Sequence, residues 1–198
     1  MDNVLELDTN VFWWINSHHC GVLDWVLWVF SQGWSWVIVL VAVIFFVTLK
    51  HEPKNWWIVL VGLVLCILIG DRISVMCFKD VFCRLRPCHA LEGVRMFRTS
   101  CGGQYGFVSS HAANVFTFAV FLALRYKSVP RKTKFYWLGF GLIAWAMVVC
   151  YSRPYLGKHY PGDVLCGAVL GIILGVFVWW LMGKIEILIK KMKKSNVC

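Results

Sequence analysis

Long apolar runs separated by short polar segments dominate the chain, and their lengths predict an all-α, polytopic membrane helix bundle. A helix needs about 20 residues to cross the hydrocarbon core of a bilayer. The first two apolar runs, 8–19 and 22–32, are shorter and carry polar interruptions, so they are interpreted as an N-terminal interfacial hairpin, which would at most add a sixth span. The later runs predict five transmembrane helices, at about 34–50, 55–76, 109–126, 134–151 and 160–183.

Composition agrees with this pattern. The 198 residues are 60% hydrophobic and include 12 Trp, which excludes an ordinary soluble domain and predicts one membrane-embedded domain over 1–198. The net charge of +10 raises the alternative of a nucleic-acid partner. The basic residues, however, lie in short loops and a tail beside apolar runs, where membrane topology and anionic headgroups explain them. No nucleic acid and no obligatory protein partner are therefore predicted.

Counting the predicted spans places two polar segments at the same membrane face. The loop 77–108 follows the second span and the stretch 152–163 follows the fourth, so an even number of crossings separates them. The opposite face collects twelve of the twenty Lys and Arg residues, against eight on the face of these segments. Because short cytoplasmic loops carry the positive excess, both segments are predicted to face the periplasmic or extracytoplasmic side of an inner (plasma) membrane.

The segment between the fourth and fifth predicted spans combines Arg153, His159 and Asp163. Pro161 and Gly162 favour a helix that begins near this point. His159 and Asp163 are then four residues apart, a spacing at which a carboxylate can hold an imidazole in one tautomer. Such an imidazole is a nucleophile or a base, and the guanidinium suits an oxyanion. The alternative is a polar loop whose aspartate only caps the next helix.

A second polar group flanks the third predicted span. Lys79 and Arg86 lie at the start of the long loop, whereas Ser109, Ser110 and His111 lie at its end. Serines at a helix start lie beside free N–H groups and a dipole that favour an anion. Cations and hydroxyls are sufficient to bind phosphate. Two imidazoles at separate positions indicate in addition that one attacks and the other protonates a leaving group.

Three spaced motifs in these segments resemble the signature of a known family. They read Lys79-x6-Arg86-Pro87, Val108-Ser109-Ser110-His111 and Ser152-Arg153-x5-His159-x3-Asp163. Together and in this order they resemble the type 2 phosphatidic acid phosphatase (PAP2) superfamily, and the chain is similar to its bacterial membrane lipid phosphatases. The second motif of that family usually reads Pro-Ser-Gly-His, so Val108 and Ser110 depart from the pattern.

The resemblance implies a role for each matching residue. His159 would be the nucleophile that forms a phosphohistidine, Asp163 would orient it, and His111 would be the general acid for the leaving oxygen. The phosphoryl oxygens would be bound by the remaining motif residues, which are Lys79, Arg86, Ser109, Arg153 and the backbone N–H of Ser110. No metal and no other cofactor would be required, because the cations stabilise the charge.

Two features of the long loop have two interpretations each. Arg84 is interpreted as a loop charge, and the alternative is direct contact with phosphate. Cys88 and Cys101 either form a disulfide, which an extracytoplasmic position favours, or remain thiols.

The predicted function is a metal-independent membrane lipid phosphatase, a phosphoric ester or diphosphate hydrolase. Lipid A and undecaprenyl diphosphate are predicted as substrates with equal weight, and phosphatidylglycerol phosphate and phosphatidic acid are the alternatives. A transporter of a phosphorylated solute is a distant alternative, because the charges here lie at the ends of the spans rather than at mid-span. A vanadate-dependent oxidase ranks lower still.

Overall fold

The computed structural model describes residues 2–45, 56–127 and 133–195, which are mostly helical apart from the loop between Phe82 and Ser110. The only bridge between extended segments in these ranges joins Leu85 and Tyr105, so the prediction of an all-α protein is confirmed for the described residues. A π-helical turn, Val75–Lys79, and a short helix, Asp80–Phe82, extend the helix Trp56–Ser74. The long helices are α1 (Asp2–Ser17), α2 (Gly21–Ser31), α3 (Gly33–Val43), α4 (Trp56–Ser74), α5 (Ser110–Lys127), α6 (Thr133–Tyr155) and α7 (Pro161–Ser195).

Two helical segments in the described ranges are long and apolar enough to cross a membrane, Trp56–Phe82 and Pro161–Lys193. The pair α2 and α3, bent by 66° at their junction, makes a third if it is one broken span. The chain is therefore an integral membrane protein, and five to six spans remain a prediction. The end of the first predicted span, 46–50, and the basic turn 130–132 lie outside the described residues.

Helix α5 lies at the centre of the bundle and is buried on several sides. Phe118, Phe121 and Leu122 from this helix pack into one hydrophobic core with side chains from α4, α6 and α7. The Phe121 ring occupies the space beside Gly62 of α4, where a Cβ atom would overlap it. Burying large aromatic and aliphatic side chains in this way is the main source of favourable packing in such a core.

Glycines at a spacing of four allow α7 to approach α5 closely. A Cβ at Gly167 would lie 2.6 Å from the Ser109 carbonyl oxygen, and one at Gly175 would lie 2.8 Å from Val120 Cβ. Between them, a Cβ at Gly171 would overlap the Ala113 carbonyl oxygen. Small residues at this spacing are typical of helix pairs packed in membranes, because they bring the two backbones together.

Helices α1 and α2 pack against the polar end of the bundle. The Asn16 amide donates hydrogen bonds to the Arg95 and Tyr155 carbonyl oxygens, at 3.0 and 2.9 Å. Asp24 forms a bidentate ion pair with Arg95, at 2.9 and 2.6 Å, and accepts a hydrogen bond from the Tyr155 hydroxyl at 2.8 Å. These contacts connect α1, α2, the long loop and the end of α6.

The two polar segments that were predicted to share a face lie at the same end of the bundle. The Ser109 N–H donates to the Asp163 carbonyl oxygen at 3.0 Å, which joins the start of α5 to the start of α7. Cys88 and Cys101 form a disulfide within the long loop. The even number of crossings inferred from the sequence is therefore consistent with the fold.

We expect Gly171→Val to lower the free energy of unfolding by about 1–3 kcal/mol, the usual cost of overpacking, because its side chain would meet the α5 backbone. The measurement is the melting temperature of the purified protein in detergent. Gly183→Val is the matched control, since a Cβ at Gly183 in the same helix meets nothing within 4 Å. Equal melting temperatures for the two variants would contradict close packing at Gly171.

Candidate active site

His159 lies in a tight turn between α6 and α7. The turn closes through hydrogen bonds from the Gly157 N–H to the Pro154 carbonyl oxygen and from the Lys158 N–H to the Arg153 carbonyl oxygen, at 3.1 and 3.0 Å. Gly157 has a φ of +74°, and a Cβ there would lie 2.6 Å from Val94 Cγ1, so glycine is required for both conformation and space. The turn leaves the His159 imidazole buried, with 2% of its surface exposed.

A backbone carbonyl holds the His159 ring. His159 Nδ1 lies 2.9 Å from the Gly106 carbonyl oxygen. Because a carbonyl oxygen can only accept, Nδ1 carries the hydrogen and Nε2 presents its lone pair. A hydrogen bond from the Gly106 N–H to the Arg84 carbonyl oxygen, at 2.8 Å, fixes the segment that carries this carbonyl. The imidazole is thus oriented as a nucleophile requires.

Asp163 lies beside this imidazole but has other hydrogen-bond partners. Its Oδ2 accepts a hydrogen bond from the Tyr160 N–H at 3.1 Å, which caps the start of α7. Its Oδ1 pairs with Arg84 Nη1 at 2.7 Å, whereas the distance from Oδ2 to His159 Nδ1 is 3.7 Å. The short hydrogen bond of His159 Nδ1 is therefore made to the Gly106 carbonyl and not to Asp163, the carboxylate that the sequence spacing predicted for it.

Arg153 is the most deeply buried cation at this end of the bundle. Its side chain is 1% exposed, and its Nε and Nη1 atoms have no hydrogen-bond partner among the described residues. The charge lies close enough to His159 to lower the pKa of that imidazole, which is lowered well below 6.5 mainly by burial and then by Arg153 and Arg86. His159 is therefore neutral at neutral pH. The unpaired guanidinium is a ready site for an oxyanion.

Lys79 is held by the serine that departs from the family pattern. Its Nζ donates to Ser110 Oγ at 2.7 Å, and Ser110 Oγ in turn lies 2.7 Å from Ser74 Oγ. Lys79 ends the π-helical turn, a feature that is frequent at functional sites. Ser109 directly precedes α5 and caps it, because its Oγ accepts a hydrogen bond from the Ala112 N–H at 3.4 Å.

Arg86 is held by backbone carbonyl groups from the other side of its loop. Its Nε donates to the Tyr105 carbonyl oxygen at 3.2 Å and its Nη1 donates to the Cys101 carbonyl oxygen at 3.1 Å. The bridge between Leu85 and Tyr105 sets this register. A guanidinium anchored by two carbonyl groups keeps its remaining N–H groups for another acceptor.

His111, on the first turn of α5, packs against an aromatic ring. The Trp36 ring lies edge-on to the imidazole, with 4.9 Å between ring centroids. His111 is also within electrostatic range of Arg153 and His159. The structure therefore brings both predicted imidazoles to one buried polar region.

The sequence did not predict the contacts of several residues at this site. The interpretation of Arg84 as a loop charge is wrong, because its guanidinium pairs with both Asp163 and Asp8, each at 2.7 Å. Gly106 contributes only a backbone carbonyl, which no sequence pattern marks. Lys158, next to the nucleophile candidate, is half-buried, and burial together with Arg153 and Arg86 lowers its pKa to about 8. The position of Lys158 within the third motif was the only sequence feature that pointed to this residue.

A comparison with protein families matches residues 55–187 to the PAP2 superfamily. The chain belongs to this superfamily. A lipid A 4'-phosphatase of Porphyromonas gingivalis is 33% identical over 183 residues, which cover 90% of this chain and 74% of that protein. A lipid A 4'-phosphatase of Bacteroides thetaiotaomicron is 27% identical over 184 residues, which cover 91% of this chain and 79% of that protein.

The fold also resembles that of a solved PAP2 enzyme. The crystal structure of a transmembrane PAP2-type phosphatidylglycerolphosphate phosphatase from Bacillus subtilis superimposes with a TM-score of 0.68 at 19% identity, covering 93% of this chain and 89% of the other. Family membership and the relatives confirm the prediction of a membrane lipid phosphatase, which is a phosphoric ester hydrolase.

We expect Ser110→Ala to lower kcat/KM by about tenfold or more, because hydrogen bonds to charged groups contribute about 1.5–3 kcal/mol. Ser110→Gly, which restores the usual family residue, should cause a similar loss because it also removes the hydroxyl that holds Lys79. The measurement is phosphate release from a lipid phosphate in detergent. Ser74→Ala leaves the contact between Lys79 and Ser110 intact and should have a smaller effect. Wild-type kcat/KM in Ser110→Ala would contradict this role.

Proposed function

We propose that this chain, acting as a single membrane-embedded domain, removes a phosphate group from lipid A through a phosphohistidine intermediate and without a metal ion. The observation that carries the proposal is the buried, unpaired guanidinium of Arg153 beside the neutral imidazole of His159. A buried cation with no counter-ion is costly, and a phosphate group would supply both the charge and the hydrogen-bond acceptors that it lacks. The names of the two lipid A 4'-phosphatase relatives support the choice of lipid.

The proposed reaction has two steps. In the first, His159 Nε2 attacks phosphorus, the bond from phosphorus to the lipid oxygen breaks, and His111 gives a proton to that oxygen. In the second, a water molecule attacks the phosphohistidine, His111 takes a proton from the water, and the bond from phosphorus to nitrogen breaks. Phosphate is released and both histidines return to their starting states.

The phosphoryl oxygens would be bound by the residues that the motifs name. Lys79, Arg86 and Arg153 supply positive charge, and the Ser109 hydroxyl and the Ser110 N–H supply further donors at the start of α5. The Gly106 carbonyl holds His159 at Nδ1, on the side away from the attacking Nε2, and Asp163 lies beside it. These groups stabilise the charge of the transition state, which is the task that a metal ion performs in other phosphatases.

We also propose that the site faces the extracytoplasmic side of the membrane. The excess of Lys and Arg on the opposite face supports this orientation. The disulfide between Cys88 and Cys101, in the loop beside the site, supports it independently, because disulfides persist in oxidising compartments.

The test is phosphate release by the purified enzyme in detergent from lipid A, undecaprenyl diphosphate, phosphatidylglycerol phosphate and phosphatidic acid. We expect the highest kcat/KM on lipid A and unchanged rates with EDTA. His159→Ala should eliminate turnover because the nucleophile is absent, and His111→Ala should lower kcat at least about 10²-fold, the usual scale for acid–base groups. Preference for another lipid would overturn the substrate, and near-wild-type activity of either variant would overturn the mechanism.

The pH dependence of kcat/KM should reflect the ionisation of Lys158, the residue that precedes His159. With its pKa lowered to about 8, Lys158 is charged below that pH and neutral above it. We therefore expect kcat/KM to fall as the pH rises through about 8, whereas kcat should not, because a bound phosphate dianion keeps the amine protonated. Lys158→Gln should lower kcat/KM at neutral pH and remove this decline. Lys184→Gln, in the second half of α7, is the control. If kcat/KM of Lys158→Gln still fell at alkaline pH as it does in the wild type, the assignment would be contradicted.

A further inference from the structure

A carboxylate from the N-terminal helix α1 reaches the proposed catalytic centre. Asp8 Oδ2 pairs with Arg84 Nη2 at 2.7 Å, and Asp8 Oδ1 accepts a hydrogen bond from the Gly162 N–H at 2.7 Å. The second contact satisfies one of the backbone N–H groups that the start of α7 leaves without an intrahelical partner. Asp8 thus caps α7 from a position 154 residues away in the sequence.

Arg84 links this carboxylate to Asp163. Its two terminal nitrogens divide between the two acids, since Nη2 pairs with Asp8 and Nη1 pairs with Asp163 Oδ1 at 2.7 Å. The guanidinium also lies over the Tyr160 ring, 4.1 Å from its centroid. A planar guanidinium held by two carboxylates and a ring face has little freedom to rotate.

Asp8 therefore acts on Asp163 by two routes, through Arg84 and through the first turn of α7. Asp163 is fully buried and follows Gly162 in the sequence. Its Oδ2 lies 3.7 Å from His159 Nδ1. The close approach of Asp8 also explains why residue 162 is a glycine, because a Cβ at Gly162 would lie 2.9 Å from Asp8 Oδ2. Removing the Asp8 charge would end its ion pair with Arg84 and weaken the hydrogen bond that the Gly162 N–H donates to this side chain.

We propose that Asp8 is a positioning residue for catalysis, which acts through Arg84 and Gly162 to hold Asp163 and His159 in place. The N-terminal helix is then part of the active site rather than only an interfacial anchor. This inference rests on the proposed function, in which His159 is the nucleophile. It is specific to one acidic residue of α1, because Glu6 on the same helix is exposed and forms no ion pair among the described residues.

The experiment compares Asp8→Asn with Glu6→Gln, which removes the same charge from the same helix. We expect Asp8→Asn to lower kcat at least about tenfold with KM changed less than about twofold, since small displacements of a catalytic group can cost up to about 10²-fold. Asp8→Glu should recover part of the rate, and Glu6→Gln should match the wild type. Phosphohistidine trapped by rapid denaturation in alkali should form more slowly in Asp8→Asn.

A purely structural role would give a different result. It would lower the melting temperature of Asp8→Asn while kcat of the folded fraction stayed at the wild-type value, and that outcome would overturn the proposal. Gly162→Ala is the second variant, because it keeps both charges and only displaces Asp8. It should also lower kcat, and an unchanged kcat there would count against the proposal even if Asp8→Asn does not fold.

The two proposals fail in distinguishable ways. A wild-type enzyme that releases phosphate from none of the four lipids would overturn the proposed function. A wild-type enzyme that is active, together with an Asp8→Asn variant of equal kcat, would overturn only the role of Asp8.

Discussion

The polar end of this bundle surrounds a buried guanidinium, that of Arg153, for which the described part of the chain supplies no counter-ion. Two nitrogens of Arg153 have no hydrogen-bond partner among the described residues, although its side chain is almost fully buried. Asp163, the buried carboxylate beside His159, is paired with Arg84. Arg84 therefore stabilises a buried acid at this end of the bundle. In the proposed function, the phosphate of the substrate is the partner of Arg153.

The packing of the helices determines how closely the other groups can surround that site. Gly167 brings the start of α7 against Ser109 at the start of α5, so that two helix N-termini meet. Each N-terminus presents free N–H groups and the positive end of a helix dipole. Asp8 satisfies one of these N–H groups on α7, at Gly162. In the proposed function, N–H groups at the start of α5 contribute to phosphate binding.

Ser110 shows how a departure from a family pattern can be accommodated. Glycine at this position would offer only its backbone, whereas the serine hydroxyl accepts a hydrogen bond from Lys79 and contacts Ser74. The lysine is thereby held in place before substrate arrives. Preorganised donors of this kind stabilise a developing charge without further rearrangement.

The sequence by itself determined the helical class, the membrane location and the family, because apolar run lengths and spaced motifs are local properties of the chain. Parity of the predicted spans was sufficient to place the loop 77–108 and the stretch 152–163 at one end. Only the tertiary structure decided which groups touch. The carbonyl that holds His159 belongs to the backbone of Gly106, so no side-chain type in the sequence indicates it. The two partners of Arg84 come from α1 and from the first turn of α7. Such pairings depend on distances of a few ångströms between packed helices, and one-dimensional spacing does not contain them.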